Sequence, residues 1–173
     1  AAARVYNREA LRAEQDGDVE RTLACHEASI NLHPDFLDVE SPAAPEEGAQ
    51  LRMQRVVDLL KDVKGPREAL ARLIEGAARY KLKQPEQARR CLARALELGY
   101  HKPLCMTLMA ELHFYELGKD RVALGYAEEA IKQRPDFVRA LWIKAVVLSE
   151  LGEIAEAVDC YRDMLDITPG NPT

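Results

Sequence analysis

Three side chains on one stretch have the chemistry to meet a soft metal. Cys105, Met109 and His113 recur at every fourth position, which sets them along one face of a helix. Sulfur and imidazole suit an ion such as Cu(I). A helix rises 1.5 Å per residue, so the outer pair stands about 12 Å apart along the axis and cannot share one ion. An interior helix face filled by adaptable side chains accounts for all three. His26 reads as a packed imidazole, and His33 and His101 fall near helix ends. No metal and no cofactor is expected.

The four cysteines, Cys25, Cys91, Cys105 and Cys160, form no Cys-x-x-Cys pair and no disulfide framework. They read as small, partly buried thiols in a reducing setting. That favours the cytoplasm. The chain opens "AAARVYN" without a methionine, which leaves a removed export signal open. Catalytic motifs are missing in every form tested. There is no Gly-x-Gly, no glycine-lysine phosphate loop, and none of Ser29, Ser41 and Ser149 sits in Gly-x-Ser-x-Gly. The expectation is that this is not an enzyme.

What positions these side chains is helix. The 173 residues are 47% hydrophobic and 31% charged, rich in Leu, Ala, Glu and Arg and poor in Gly and Pro. That mix buries a core and favours helices throughout. The net charge of −5 argues against general nucleic-acid binding. No apolar run approaches the roughly 18 residues of a membrane span. Residues 61–102 hold eleven Lys or Arg and five acids, so this centre carries +6 and the remainder −11. A basic centre could receive an acidic partner, though a run of this kind is usually a solvated helix face.

The strongest signal is a repeat. Leu117-Gly118 and Leu151-Gly152 stand 34 residues apart, as do Ala123 and Ala157, and Pro135 and Pro169. Each Leu-Gly closes one helix, because glycine accepts the left-handed turn. Each alanine falls five residues later, where a small side chain lets two helices approach. Each proline stops the second helix. The unit is helix, tight turn, helix, stop.

In this pattern the chain resembles the tetratricopeptide repeat family. Residues 138–171 carry Leu141, Ala145, Leu148, Ala157, Tyr161 and Pro169 in the places the family marks. Residues 104–137 carry Phe114, Leu117-Gly118, Ala123, Ala130 and Pro135, and depart from it at Glu111 and Ala127. Residues 69–103 match through Gly76, Tyr80, Ala88, Leu92 and Ala95, with one residue extra. Residues 3–36 match more weakly, through Tyr6, Ala10, Gly17, His26, Ser29 and Pro34. Cys25, Cys91 and Cys160 each precede the aromatic slot of a second helix, which argues for packing. The resemblance implies an all-α fold, a right-handed α-solenoid of antiparallel helix pairs. The domain reading is an N-terminal pair over 1–36, a proline-containing loop plus helix over 37–68, and three consecutive repeats over 69–173. In the middle segment, "DVESPAAPEEG" breaks the pattern. Met53, Val56, Val57 and Leu60 then form one helical stripe, and Gly65-Pro66 stops it. Degenerate repeat and plain insertion both remain open for this segment.

The resemblance also implies a role. First helices in this family line a concave surface that receives a peptide. Here they would present Leu70, Leu73, Ala77 and Tyr80, then Cys105, Leu108, Leu112 and Tyr115, then Arg139, Trp142, Val146 and Ser149. Family members that hold a terminal carboxylate use Lys, Asn and Arg in this lining. This chain has Leu73, Ala77, Met109 and Ile143 there, and Arg139 is its main match. An apolar groove for an amphipathic helix or apolar segment is the better expectation. The expected function is therefore a non-catalytic interaction module or scaffold with a protein or peptide partner. The rivals are a self-associating, homodimeric segment of a longer array and a docking domain cut from an enzyme. The chain ends "TPGNPT" directly after a second helix, with no polar capping helix, which favours the first rival.

Overall fold

The computed structural model describes residues 2–32 and 46–167. Among these residues there are nine α-helices, one short 3-10 turn and no strand. The chain divides into two compact units, Ala1–Tyr100 and His101–Thr173. The expected all-α class of paired helices is what is found.

The first unit holds α1 (Ala2–Asp16), α2 (Val19–Leu32), α3 (Glu46–Leu60), α4 (Glu68–Lys81) and α5 (Pro85–Glu97). α1 packs on α2, α3 on α4, and α4 on α5. The stripe expected on α3 is real: Met53, Val56, Val57 and Leu60 are all buried. Gly65 and Pro66 form the 3-10 turn that leads into α4. Residues 38–45 of the proline-containing loop lie outside the described residues, as do His33, Pro34 and Pro169. α4 is buried on all sides, from Leu70 to Ala78 without a break. A helix wrapped in this way needs a small residue where a neighbour comes closest. That residue is Gly76: a Cβ there would meet Leu92 Cγ of α5 at 2.8 Å.

The second unit holds α6 (Lys102–Tyr115), α7 (Asp120–Gln133), α8 (Val138–Glu150) and α9 (Ile154–Ile167). α6 pairs with α7 and α8 with α9, while α8 also packs on α7 and α6. The two repeat alanines sit at the seams. Ala123 and Ala127 are enclosed with Ala110, Ile143 and Val147, and Ala157 with Ala145, Leu148 and Cys160.

The turns follow the glycines. Gly118 and Gly152 have φ of +59° and +81°, the left-handed region that glycine enters freely. The amide of Glu153 donates back to the Leu148 carbonyl at 2.9 Å and closes α8. The equivalent place between α4 and α5 is Lys83, which takes φ +57° without being a glycine. α7 stops at Gln133, and Arg134 is extended, as the residue before a proline must be. No described helix is long and apolar enough to cross a membrane.

Candidate functional site

Within the second unit, α6 and α8 carry two large aromatics to the surface. Tyr115 is 47% exposed and Trp142 39% exposed, so both rings are available. Their centroids lie 6.5 Å apart at an interplanar angle of 28°. Phe114 packs edge-on against Tyr115 at 4.8 Å. Partial burial pushes the Tyr115 hydroxyl above its ordinary range, with Glu111 and Tyr161 adding to the shift. Val146 is half-buried on α8. Ser149 donates its hydroxyl to the Ala145 carbonyl of its own helix at 2.9 Å.

Other residues expected in the groove lie elsewhere. Leu108, Leu112 and Cys105 are buried within the second unit, as are Leu70, Leu73 and Ala77 within the first, and offer a ligand almost no surface. Helices wrapped on several sides turn these positions into core. Tyr80 is half-buried on α4, with the Lys81 ammonium 5.8 Å from its ring centre. Arg139, the expected carboxylate receiver, already holds one. Its Nε donates to Glu111 Oε1 at 2.6 Å and its Nη2 to Oε2 at 2.8 Å. Glu111 is buried, so this forked pair is charge-assisted and shielded from water. Glu111, Gly76 and Ala145 share one place in the repeat. The departure that Glu111 makes from the family pattern was the available signal that a cation had to come to it.

The first unit contains polar networks with no motif in the sequence. Glu14 of α1 is buried and receives Arg52 of α3 twice, Nε to Oε2 at 2.7 Å and Nη2 to Oε1 at 3.0 Å. His26 of α2 brings Nε2 within 3.1 Å of Oε1. Burial alone would raise the Glu14 carboxyl. The hydrogen bonds from His26 and Arg52 outweigh it and hold the group below its ordinary value. Three helices thus meet on one carboxylate. A second network ties α4 to α3. Arg72 donates Nη2 to the carbonyls of Leu60, Lys61 and Val63, at 2.7, 2.8 and 3.2 Å. These carbonyls lie at the end of α3, where a cation also suits the helix dipole. Glu75 accepts from Arg72 and from Arg79.

The basic centre is largely occupied in this way. Lys61, Arg67, Arg72, Arg79, Arg89 and Arg94 each pair with a carboxylate of their own unit. Six of the eleven cations of residues 61–102 are thus paired within the unit. The thiols behave as packing groups. Burial pushes Cys91 up to about 11 and Cys105 up to about 12, and raises Cys160 and the half-buried Cys25. Cys105, Met109 and His113 are all buried, and the His113 ring stacks on Tyr126 of α7 at 5.4 Å.

Comparison with known proteins agrees with this geometry. The tetratricopeptide repeat family model matches residues 108–172. A TPR repeat-containing protein of Methanocaldococcus jannaschii is 40% identical over 50 residues. That match covers 29% of this chain and spans 15% of the relative's length. Among solved structures, MamA superposes with a TM-score of 0.56 at 19% identity, covering 95% of this chain and 91% of its own. YrrB, described as a TPR protein with an unusual peptide-binding site, superposes at 0.60 and 19% identity, covering 96% and 86%. At such identity these two speak for the fold alone. Residues 108–172, with their 34-residue period and paired helices, match the tetratricopeptide repeat family.

Proposed function

We propose that this chain is a non-catalytic interaction module that takes an apolar or amphipathic segment of a partner protein on the α6–α8 surface of its second unit. The observation that carries this is the exposed, stacked pair Tyr115 and Trp142, one on each first helix. Large aromatics left at a surface are the residues that most often dominate peptide binding. Val146 adds apolar area beside them, and the Glu111–Arg139 pair fixes α6 against α8 without offering its charges to a ligand. Peptide binding by a solved protein of the same fold, YrrB, points the same way.

The test starts from the intact chain as bait, with captured partners cut into peptides and mapped onto residues 101–167. Trp142→Ala is then expected to weaken the mapped partner by about 2 kcal/mol or more, with its helical content and denaturation midpoint held. Unchanged affinity overturns the reading.

A further inference from the structure

Two side-chain pairs join α6 to α8. In one, Arg139 donates Nε to Glu111 Oε1 at 2.6 Å and Nη2 to Oε2 at 2.8 Å. In the other, the rings of Tyr115 and Trp142 lie 6.5 Å apart. Tyr115 follows Glu111 by four residues and Trp142 follows Arg139 by three, so the aromatic pair stands one turn further on, about 5–6 Å along the axes. The Glu111 charge is close enough to Tyr115 to help raise its hydroxyl. In the neighbouring repeats the place of Glu111 is held by Gly76 and Ala145, and that of Arg139 by Leu70 and Cys105. Both charges thus enter together, at one seam. Stability alone is a weak reason for such a pair, because apolar side chains often hold a seam as well or better. A guanidinium fork is shaped to receive a carboxylate. The Arg139 side chain keeps 23% of its surface in water one turn from the aromatics, while Glu111, at 7%, fills the fork from within.

We propose that Glu111 is a specificity-determining residue of the α6–α8 surface: its carboxylate occupies Arg139, so that a partner bringing a carboxylate to this place gains nothing from the cation. The inference rests on the interaction-module reading and names what that surface turns away. An acidic side chain or a chain terminus approaching Arg139 has to displace two charge-assisted hydrogen bonds and meets the Glu111 charge at close range. An uncharged apolar segment displaces nothing and meets the rings alone. Discrimination then comes from a repulsive group set beside an attractive one.

The probes are acetate, exchanged for chloride at constant ionic strength, and a short fluorescein-labelled peptide of leucine and serine ending in a free carboxylate, with a twin ending in an amide. The unaltered chain is expected to have the same urea midpoint in both salts and to bind the acid no tighter than the amide. Glu111→Ala is expected to have a lower midpoint in chloride, raised by acetate in a saturable way, and to bind the acid about tenfold tighter than the amide. Glu111→Gln keeps the volume and loses the charge, so it carries the same acid preference if Glu111→Ala does not fold. Glu111→Ala combined with Arg139→Gln is expected to lose both the acetate shift and the preference, which assigns them to Arg139. Acid preference in the unaltered chain, its absence from both single variants, or an acetate shift equal in all chains overturns the inference. If the mapped natural partner is lost on Trp142→Ala while neither Glu111 variant prefers the acid, this inference fails and the interaction-module reading stands.

Discussion

At the scale of single residues, small side chains decide how closely helices approach. Gly76 faces Leu92 with no room for a methyl group, whereas Gly125 on α7 has nothing within 4 Å of its added Cβ. Both sit inside helices, where alanine is worth about 1 kcal/mol over glycine. Gly125→Ala is therefore expected to stabilise by about that much. At Gly76 the same gain is outweighed by overpacking of about 1–3 kcal/mol, so Gly76→Ala is expected to lower the urea midpoint. Ala157 is 2% exposed against Leu148 and Cys160. Ala157→Leu is expected to cost about 1–3 kcal/mol by the same mechanism, and an unmoved midpoint would remove the seam from the account. The thiols give a separate reading. Cys91, Cys105 and Cys160 should label slowly with a thiol reagent in the folded chain and quickly in urea. Cys25, only half-buried, should lead them. Fast stoichiometric labelling of the buried three in native protein would contradict their packing.

Between elements, charge does work that the apolar stripes do not. Glu14 holds α1, α2 and α3 together because His26 and Arg52 both reach it in the interior. Glu14→Gln leaves the Arg52 guanidinium buried without its carboxylate and is expected to cost about 3 kcal/mol near neutral pH. The pH dependence follows from the direction of the shift. The folded carboxyl titrates below its unfolded value of 4.5, so the unfolded chain binds the proton first. Its contribution is present in full above that value and is lost as pH falls through the folded one. The gap between wild type and Glu14→Gln should close on acidification below pH 4.5, followed by circular dichroism. A gap that stays constant would mean the carboxylate's charge is not what holds these helices. Arg72 plays the corresponding part at the end of α3, where its guanidinium gathers three carbonyls.

For the whole molecule, the test is whether exposed apolar surface serves a partner or another copy of the chain. Trp142→Ala should reduce partner capture and leave the sizing profile across concentration as it was. A shift from dimer to monomer in that variant, with no partner present, would favour self-association instead.

The period of 34 residues was enough to determine the paired helices, the turns at Gly118 and Gly152 and the close seams at Ala123 and Ala157. These rest on local physics: a backbone angle only glycine adopts freely, a missing amide proton at proline, a side chain small enough for contact. The stripe on α3 was legible for the same reason, since helical spacing alone predicts which of its residues turn inward. What tertiary structure decided was which first-helix residues reach water. Leu108 and Trp142 hold the same place in successive repeats, yet one is buried and the other open. The difference comes from the helix that covers α6 and has no counterpart over α8 among the described residues. Pairings over long separations were likewise invisible in advance. Glu14 meets Arg52 across 38 residues and Glu111 meets Arg139 across 28, and no local rule links a buried carboxylate to a cation on another helix. Arg139 thus forms an internal pair, because the buried Glu111 carboxylate on another helix of its unit accepts from two nitrogens of its guanidinium.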